Sequence, residues 1–170
     1  MPLDRASSKF VICPPKNGTH TIQHIMPQDL NGHMRFAEAH RQLDGLGIDP
    51  DTITFAMIVR HPVNRYVSAI NHNMRVRNWG LDEAVEASIS SDEIVFYPQM
   101  WFWQDDAGIL LFPFDGMPII DWLGWQGKRP HKNLGHEMVT RREITDHKLF
   151  QTAMARYNPD WVLYEATNFG

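Results

Sequence analysis

Residues 53–72 read I-T-F-A-M-I-V-R-H-P-V-N-R-Y-V-S-A-I-N-H, and this stretch decides the fold. From Thr52 to Val59 the side chains are β-branched or apolar with almost no interruption, the pattern of a strand buried on both faces. Pro62 then brings a fixed φ suited to the first position of a helix, expected over about 62–76. Val63, Val67, Ile70 and Met74 recur at helical spacing and form its core stripe. Arg60 thus stands at the carboxyl end of a buried strand, the edge where open α/β sheets take their ligands. Arg65 and Ser68 lie three apart and share a helix face away from that stripe, and His72 continues it. An arginine at a strand end with a serine on the next helix can clamp a phosphate, the arginine bidentately. For this segment alone, a solvated Arg65 and a space-filling Ser68 stand beside that possibility.

The same handover occurs upstream. Residues 10–22 read F-V-I-C-P-P-K-N-G-T-H-T-I. A short strand over 9–13 is stopped by Pro14 and Pro15, which have no N–H to give a ladder, and a helix can follow from Thr19 to Met26. Amides at a helix start and the helix dipole favour an anion. Gly18 allows close backbone approach, Lys16 adds a charge, and Thr19 and Thr21 add hydroxyls. These are the parts of a phosphate cradle. The loop is not a Walker A sequence, because its lysine precedes the glycine. Taken alone, it also reads as a Pro–Gly turn with an ordinary helix cap.

Working outward, residues 34–46 form a helix ended by Gly45 and Gly47. Residues 81–90 form another, and I-L-L-F at 109–112 reads as a further central strand. A short helix is expected over 117–125, then a polar surface segment over 126–138. Thr145 or Asp146 caps a final helix through Tyr157, and Pro159 starts a last turn with Trp161 and Tyr164 packing back. Strands alternating with helices predict a three-layer α/β domain over residues 1–170, its central, mainly parallel sheet flanked by helices.

Composition narrows the function. A chain of 170 residues fits one domain. With 16 Lys and Arg against 20 Asp and Glu, the net charge is −4, so no general basic field exists to hold a nucleic-acid backbone. An anionic ligand must meet a local cluster of cations. Cys13 is the single cysteine and sits in an apolar run, which predicts an inert buried thiol. No stretch approaches the ~18 apolar residues of a membrane span, and the N-terminal apolar stretch is short for a signal-peptide core. A cytoplasmic protein is expected. Trp79, Trp122 and Trp125 are candidates for an interface if exposed.

Together, P-K-N-G-T-H-T at 15–21 and V-R-H-P-V-N-R-Y-V-S-A at 59–69 resemble the two characteristic elements of sulfotransferases that use PAPS, 3′-phosphoadenosine 5′-phosphosulfate. In that family a loop of the type P-K-x-G-[ST]-[ST]-[ST] holds the 5′-phosphosulfate. An element of the type V-R-x-P-x-x-R-x-x-S holds the 3′-phosphate. Y-P-Q at 97–99, L-F-P-F-D-G at 111–116, P-H-K-N at 130–133 and Y-N-P-D-W-V-L-Y-E at 157–165 look like further segments of the carbohydrate-type enzymes in the right order. Asn17, His20 and Asp115 depart from the residues common at their places.

The resemblance implies a P-loop-nucleotidase-like sulfotransferase fold, with PAPS as donor and PAP, its desulfated bisphosphate, as product. It implies Lys16 at the leaving phosphate oxygen; Asn17, Gly18, Thr19, His20 and Thr21 around the 5′-phosphate; and Arg60 with Ser68 on the 3′-phosphate. A hydroxyl or amine acceptor, a saccharide or another small molecule, would be deprotonated by a general base. His33 matches a Gly-His position in similar proteins and is the first candidate, with His20, His24, His40, His72 and Glu38 as rivals. Among aromatic residues 97–103, Trp101 and Trp103 can stack on a sugar or adenine or pack into the core, and Gln99 is taken as pointing toward the acceptor. The basic residues Lys128, Arg129, His131, Lys132 and Asn133 are candidates for closing over the donor. His20 and His24 have the spacing of a metal pair but lack a third ligand, and the scheme requires no metal. An atypical P-loop kinase and a degenerate PAP-binding module are the alternatives.

Overall fold

The computed structural model describes residues 3–26, 32–104, 107–127 and 137–167. Its sheet has four strands in sequence order: β1 (Leu3–Asp4), β2 (Lys9–Ile12), β3 (Thr54–Val59) and β4 (Leu110–Pro113). β2, β3 and β4 run parallel, with Phe10 opposite Phe55 and Ala56 opposite Leu110, while β1 pairs antiparallel to β2. The chain is therefore an α/β protein with a mixed, mostly parallel sheet and helices. β3 is its spine: Phe55 to Val59 are all buried, each large apolar side chain contributing about 1.5–3 kcal/mol.

The helices are α1 (Thr19–Ile25), α2 (Phe36–Gly45), α3 (Pro62–Arg77), α4 (Leu81–Ser90), α5 (Ile119–Trp122), α6 (Arg141–Thr145), α7 (Phe150–Ala155) and α8 (Asn158–Ala166). α1 to α4 fall where the spacing predicts them. At the end of α2, the Gly47 N–H donates to Asp44 and the Ile48 N–H to Leu43. Gly47 sits at φ 71, so it is the left-handed closing residue and Gly45 stays inside the helix.

Three expectations need correction. β1 has no counterpart among the predicted elements: it is a two-residue partner held by a turn in which Asp4 accepts from the Ala6 N–H and the Ser7 hydroxyl. Among the described residues β4 is an edge strand rather than a central one, and Leu110 is 41% exposed. The C-terminal region is three helices in place of one helix and a last turn: the helix expected from Thr145 or Asp146 runs only from Phe150 to Ala155, and Pro159 lies in the first turn of the nine-residue α8. The first of them, α6, is capped by Thr140, whose hydroxyl accepts from the Glu143 N–H while the Glu143 carboxylate accepts from the Thr140 N–H.

Two apolar clusters result. One surrounds the sheet, with Ile22, Leu43 and Ile119 packed on the strands. The other joins α3, α4, α6 and α7 through Tyr66, Ile70, Val85, Ile144 and Phe150. Trp79 packs against the second cluster and Trp122 and Trp125 against the first, all half-buried. Among the described residues, no helix is long and apolar enough to cross a membrane.

Candidate anion-binding site

β2 and β3 are adjacent and parallel, so the loop after one and the arginine after the other open on the same edge of the sheet. After Pro15 the chain turns sharply: the Asn17 N–H donates to the Pro14 carbonyl at 3.1 Å. Lys16 takes a left-handed φ of 68° and Gly18 one of 83°. For lysine that conformation costs ~1–2 kcal/mol and persists only where surrounding contacts enforce it. Gly18 is doubly required, since a Cβ there would lie 3.1 Å from the Phe114 ring.

The two elements touch. Arg60 donates through Nη1 to the Lys16 carbonyl at 2.9 Å, and its guanidinium lies 4.7 Å over the Phe114 ring. Arg65, expected either to clamp phosphate or to be solvated, is instead fully buried. It donates through Nε to the Pro15 carbonyl at 3.0 Å and through Nη2 to Val95 at 3.3 Å, and so props the loop from behind. Gln99 does not face an acceptor: it is fully buried and hydrogen-bonded to Asn17, Arg60 and Asp160. Asn17 likewise turns its amide inward, donating to the Ile58 carbonyl at 2.7 Å as well as to Gln99.

Cations converge here. Burial, then repulsion by Arg75, Arg60 and Arg65, hold the Lys16 ammonium below its ordinary pKa. Burial also lowers Arg60, opposed by attraction to Asp115. Arg75, not singled out from sequence, joins the cluster because it follows Ser68 and His72 on one face of α3, at i, i+4 and i+7. That spacing is a signal available in the sequence. His72 is lowered by burial, then by Lys16 and Arg75. The nearby Glu93 carboxylate already accepts from Asn73 at 3.0 Å and Arg77 at 2.9 Å. Among the described residues, the buried Thr19 hydroxyl and Asn17 Oδ1 have no hydrogen-bond partner. Thr21 and Ser68 are half-buried and His20 is exposed. Positive charge with an unpartnered hydroxyl at a helix start is an arrangement for binding anions.

His33 approaches from the segment before α2. Its Nδ1 is 2.7 Å from the Cys13 carbonyl, which can only accept, so Nδ1 carries the hydrogen and Nε2 holds the lone pair. Burial pushes its pKa down, partly offset by that bond, with repulsion from Arg65 and His20 adding to the fall. The imidazole is thus held neutral with a basic nitrogen available, as a general base requires. Of its rivals, Glu38 is committed to the start of α2, accepting from the Arg35 N–H at 2.8 Å and the Arg35 guanidinium at 3.1 Å. His40 lies 3.8 Å from Asp51, and His24 is exposed.

Phe102 is buried, and Trp101 and Trp103 pack half-buried against the sheet cluster; Arg35 lies 4.4 Å over the Trp101 ring. The Cys13 thiol is buried and pushed up to about 12. Lys128, Arg129, His131, Lys132 and Asn133 lie outside the described residues. Among those described, no group of three or more His, Cys, Asp or Glu side chains is placed to hold a metal ion. No family model matches the chain, and neither does any curated protein or solved structure compared with it.

Proposed function

We propose that this chain is a PAPS-dependent sulfotransferase of the three-layer, P-loop-like type, transferring a sulfuryl group to a hydroxyl or amine of a carbohydrate or small molecule. The observation that carries the proposal is the contact between the two elements. The Lys16 loop and the Arg60 strand end are joined at 2.9 Å, which supports one ligand with two separated phosphates meeting both. An ordinary nucleotide offers phosphate to one of them only.

The chemistry follows from the arrangement. The acceptor oxygen forms a bond to sulfur as the bond from sulfur to the 5′-phosphate oxygen breaks, in line, with the electron pair passing to the departing PAP. The acceptor proton passes to His33 Nε2. Lys16 and the loop amides stabilise the charge on the leaving oxygen, the preorganised electrostatics that dominate transfers of this kind. Arg60 and Ser68 hold the 3′-phosphate and fix the donor's orientation.

Incubation with sulfur-labelled PAPS and a panel of sugars, phenols and amines tests the assignment. Labelled product is expected from the native chain. Lys16→Ala is expected to lower turnover by about 10²–10³-fold, the usual loss for one donor to the developing charge. PAPS that stays intact against every class of acceptor would favour a donor-binding module without transfer.

A further inference from the structure

Gln99 opens a 3₁₀ turn, Gln99–Phe102, far in sequence from both phosphate elements. It is nevertheless the side chain on which both converge. Its Oε1 accepts from the Arg60 backbone N–H at 2.8 Å and from the Asn17 side-chain amide. Its Nε2 donates to the Arg60 carbonyl at 2.8 Å and to Asp160 Oδ2 at 3.4 Å. Asp160 Oδ1 in turn accepts from the Met100 N–H at 2.9 Å, so α8 holds the turn that carries Gln99. The side chain is fully buried, where hydrogen bonds reinforce one another and leaving a group unpaired is costly.

Such bonding exceeds what local stability of the 3₁₀ turn demands. Gln99 grips the Arg60 backbone on both sides, N–H and C=O, and with the same oxygen grips Asn17, the residue between Lys16 and Gly18. Asn17 extends the link to β3 through the Ile58 carbonyl at 2.7 Å. The β2–β3 pairing and the Arg60–Lys16 bond bring the loop and the strand end together, and this one amide pins the Arg60 backbone to the Asn17 side chain. We infer that Gln99 is a positioning residue for donor selectivity: it fixes the spacing of the two phosphate-binding elements so that a 3′,5′-bisphosphate is preferred to a nucleotide with phosphate at the 5′ end alone. This rests on the sulfotransferase proposal. A ligand that bridges both elements gains from their fixed spacing, whereas one that uses the loop alone gains little.

The test compares PAP with ADP by calorimetry on the native chain, Gln99→Leu and Asn17→Ala, with thermal unfolding of each. Gln99→Leu removes every bond of the Gln99 amide at similar volume; Asn17→Ala cuts the loop end of the link together with its bond to the Ile58 carbonyl, and guards against misfolding of the first variant. Each is expected to weaken PAP by about tenfold or more while ADP changes less than ~3-fold. The PAP-to-ADP ratio therefore collapses, and the double variant is little worse than either single one, because both break the same link. A merely structural Gln99 would lower the unfolding temperature and leave the ratio unchanged, and that result would overturn the inference. Hydrogen exchange without ligand supplies a second, independent readout. The Asn17 amide should exchange faster in Gln99→Leu while α4 and α7 stay protected, and unchanged exchange at residue 17 would overturn the inference. Should the native chain fail to prefer PAP, the donor assignment falls by itself, and the exchange result still decides whether the link exists.

Discussion

His33 shows how one side chain is prepared for its task. The Cys13 carbonyl fixes its tautomer, and burial favours its neutral form. A base with pKa below the ordinary 6.5 is unprotonated at neutral pH and is lost only as pH falls through the depressed value. Sulfuryl transfer should therefore stay level from neutral pH down past 6.5 and decline only below it. His33→Ala should lower turnover by ~10²–10⁴-fold with PAP affinity unchanged in calorimetry. An acid limb centred above 6.5, or full turnover in the variant, would assign the proton to another group. His33 is readable in sequence as a residue type at a suggestive place. The hydrogen bond that selects it from nine histidines joins residues 20 apart in the chain, and no local pattern encodes that. Arg65 and Gln99 are illegible for the same reason: nothing in spacing distinguishes a solvated arginine from one whose donors meet Pro15 and Val95 carbonyls in the interior.

At the scale of elements, the strand–loop–helix units are legible because their signals are local: the β-branched run of β3, Pro62 at the start of α3, and the Lys16–Gly18 turn. Gly18→Ala should weaken PAP binding and cost stability by ~1–2 kcal/mol, since the new methyl meets Phe114 at 3.1 Å and the left-handed φ penalises any Cβ. Calorimetry and denaturant unfolding would read both effects; a variant equal to native in each would show that the loop tolerates a side chain there. Arg65→Ala should lower stability by about 3 kcal/mol, because two loop carbonyls lose their donor and a cavity opens. For a chain of this size that corresponds to a fall in Tm of ~6–12 °C, readable by calorimetric melting. The elements that local pattern misses are those set by neighbours. β4 has an apolar run like a central strand, and only the absence of a further partner in the described sheet makes it an edge. The α6 start is the reverse case: T-R-R-E at 140–143 is a capping box legible from sequence, and it opens a helix of its own that ends at the polar pair 145–146, so the helix expected from that pair starts only at Phe150.

Across the whole molecule, a net charge of −4 coexists with a site where Arg60, Arg65 and Arg75 each repel Lys16, and Arg65 repels Arg60. Asp115 faces Arg60 and Asp160 faces Arg65, while other acidic residues pair away from the site: Asp82 with His147 at 2.8 Å, and Asp146 with Arg142 at 3.3 Å. Concentrating positive charge on one sheet edge costs folding energy, and an anion bound there would offset that cost. Where that anion carries its phosphates, both at the 5′ end or one at 3′ and one at 5′, decides the function. Titration with PAP and then with ADP, each with two phosphates, on the native chain and on Arg60→Ala, reads that placement directly. PAP is expected to bind at least tenfold more tightly than ADP, as one charge-assisted contact to the 3′-phosphate implies, and Arg60→Ala should erase the difference while ADP binds as before. Equal affinities for PAP and ADP in the native chain would contradict a site built for two separated phosphates.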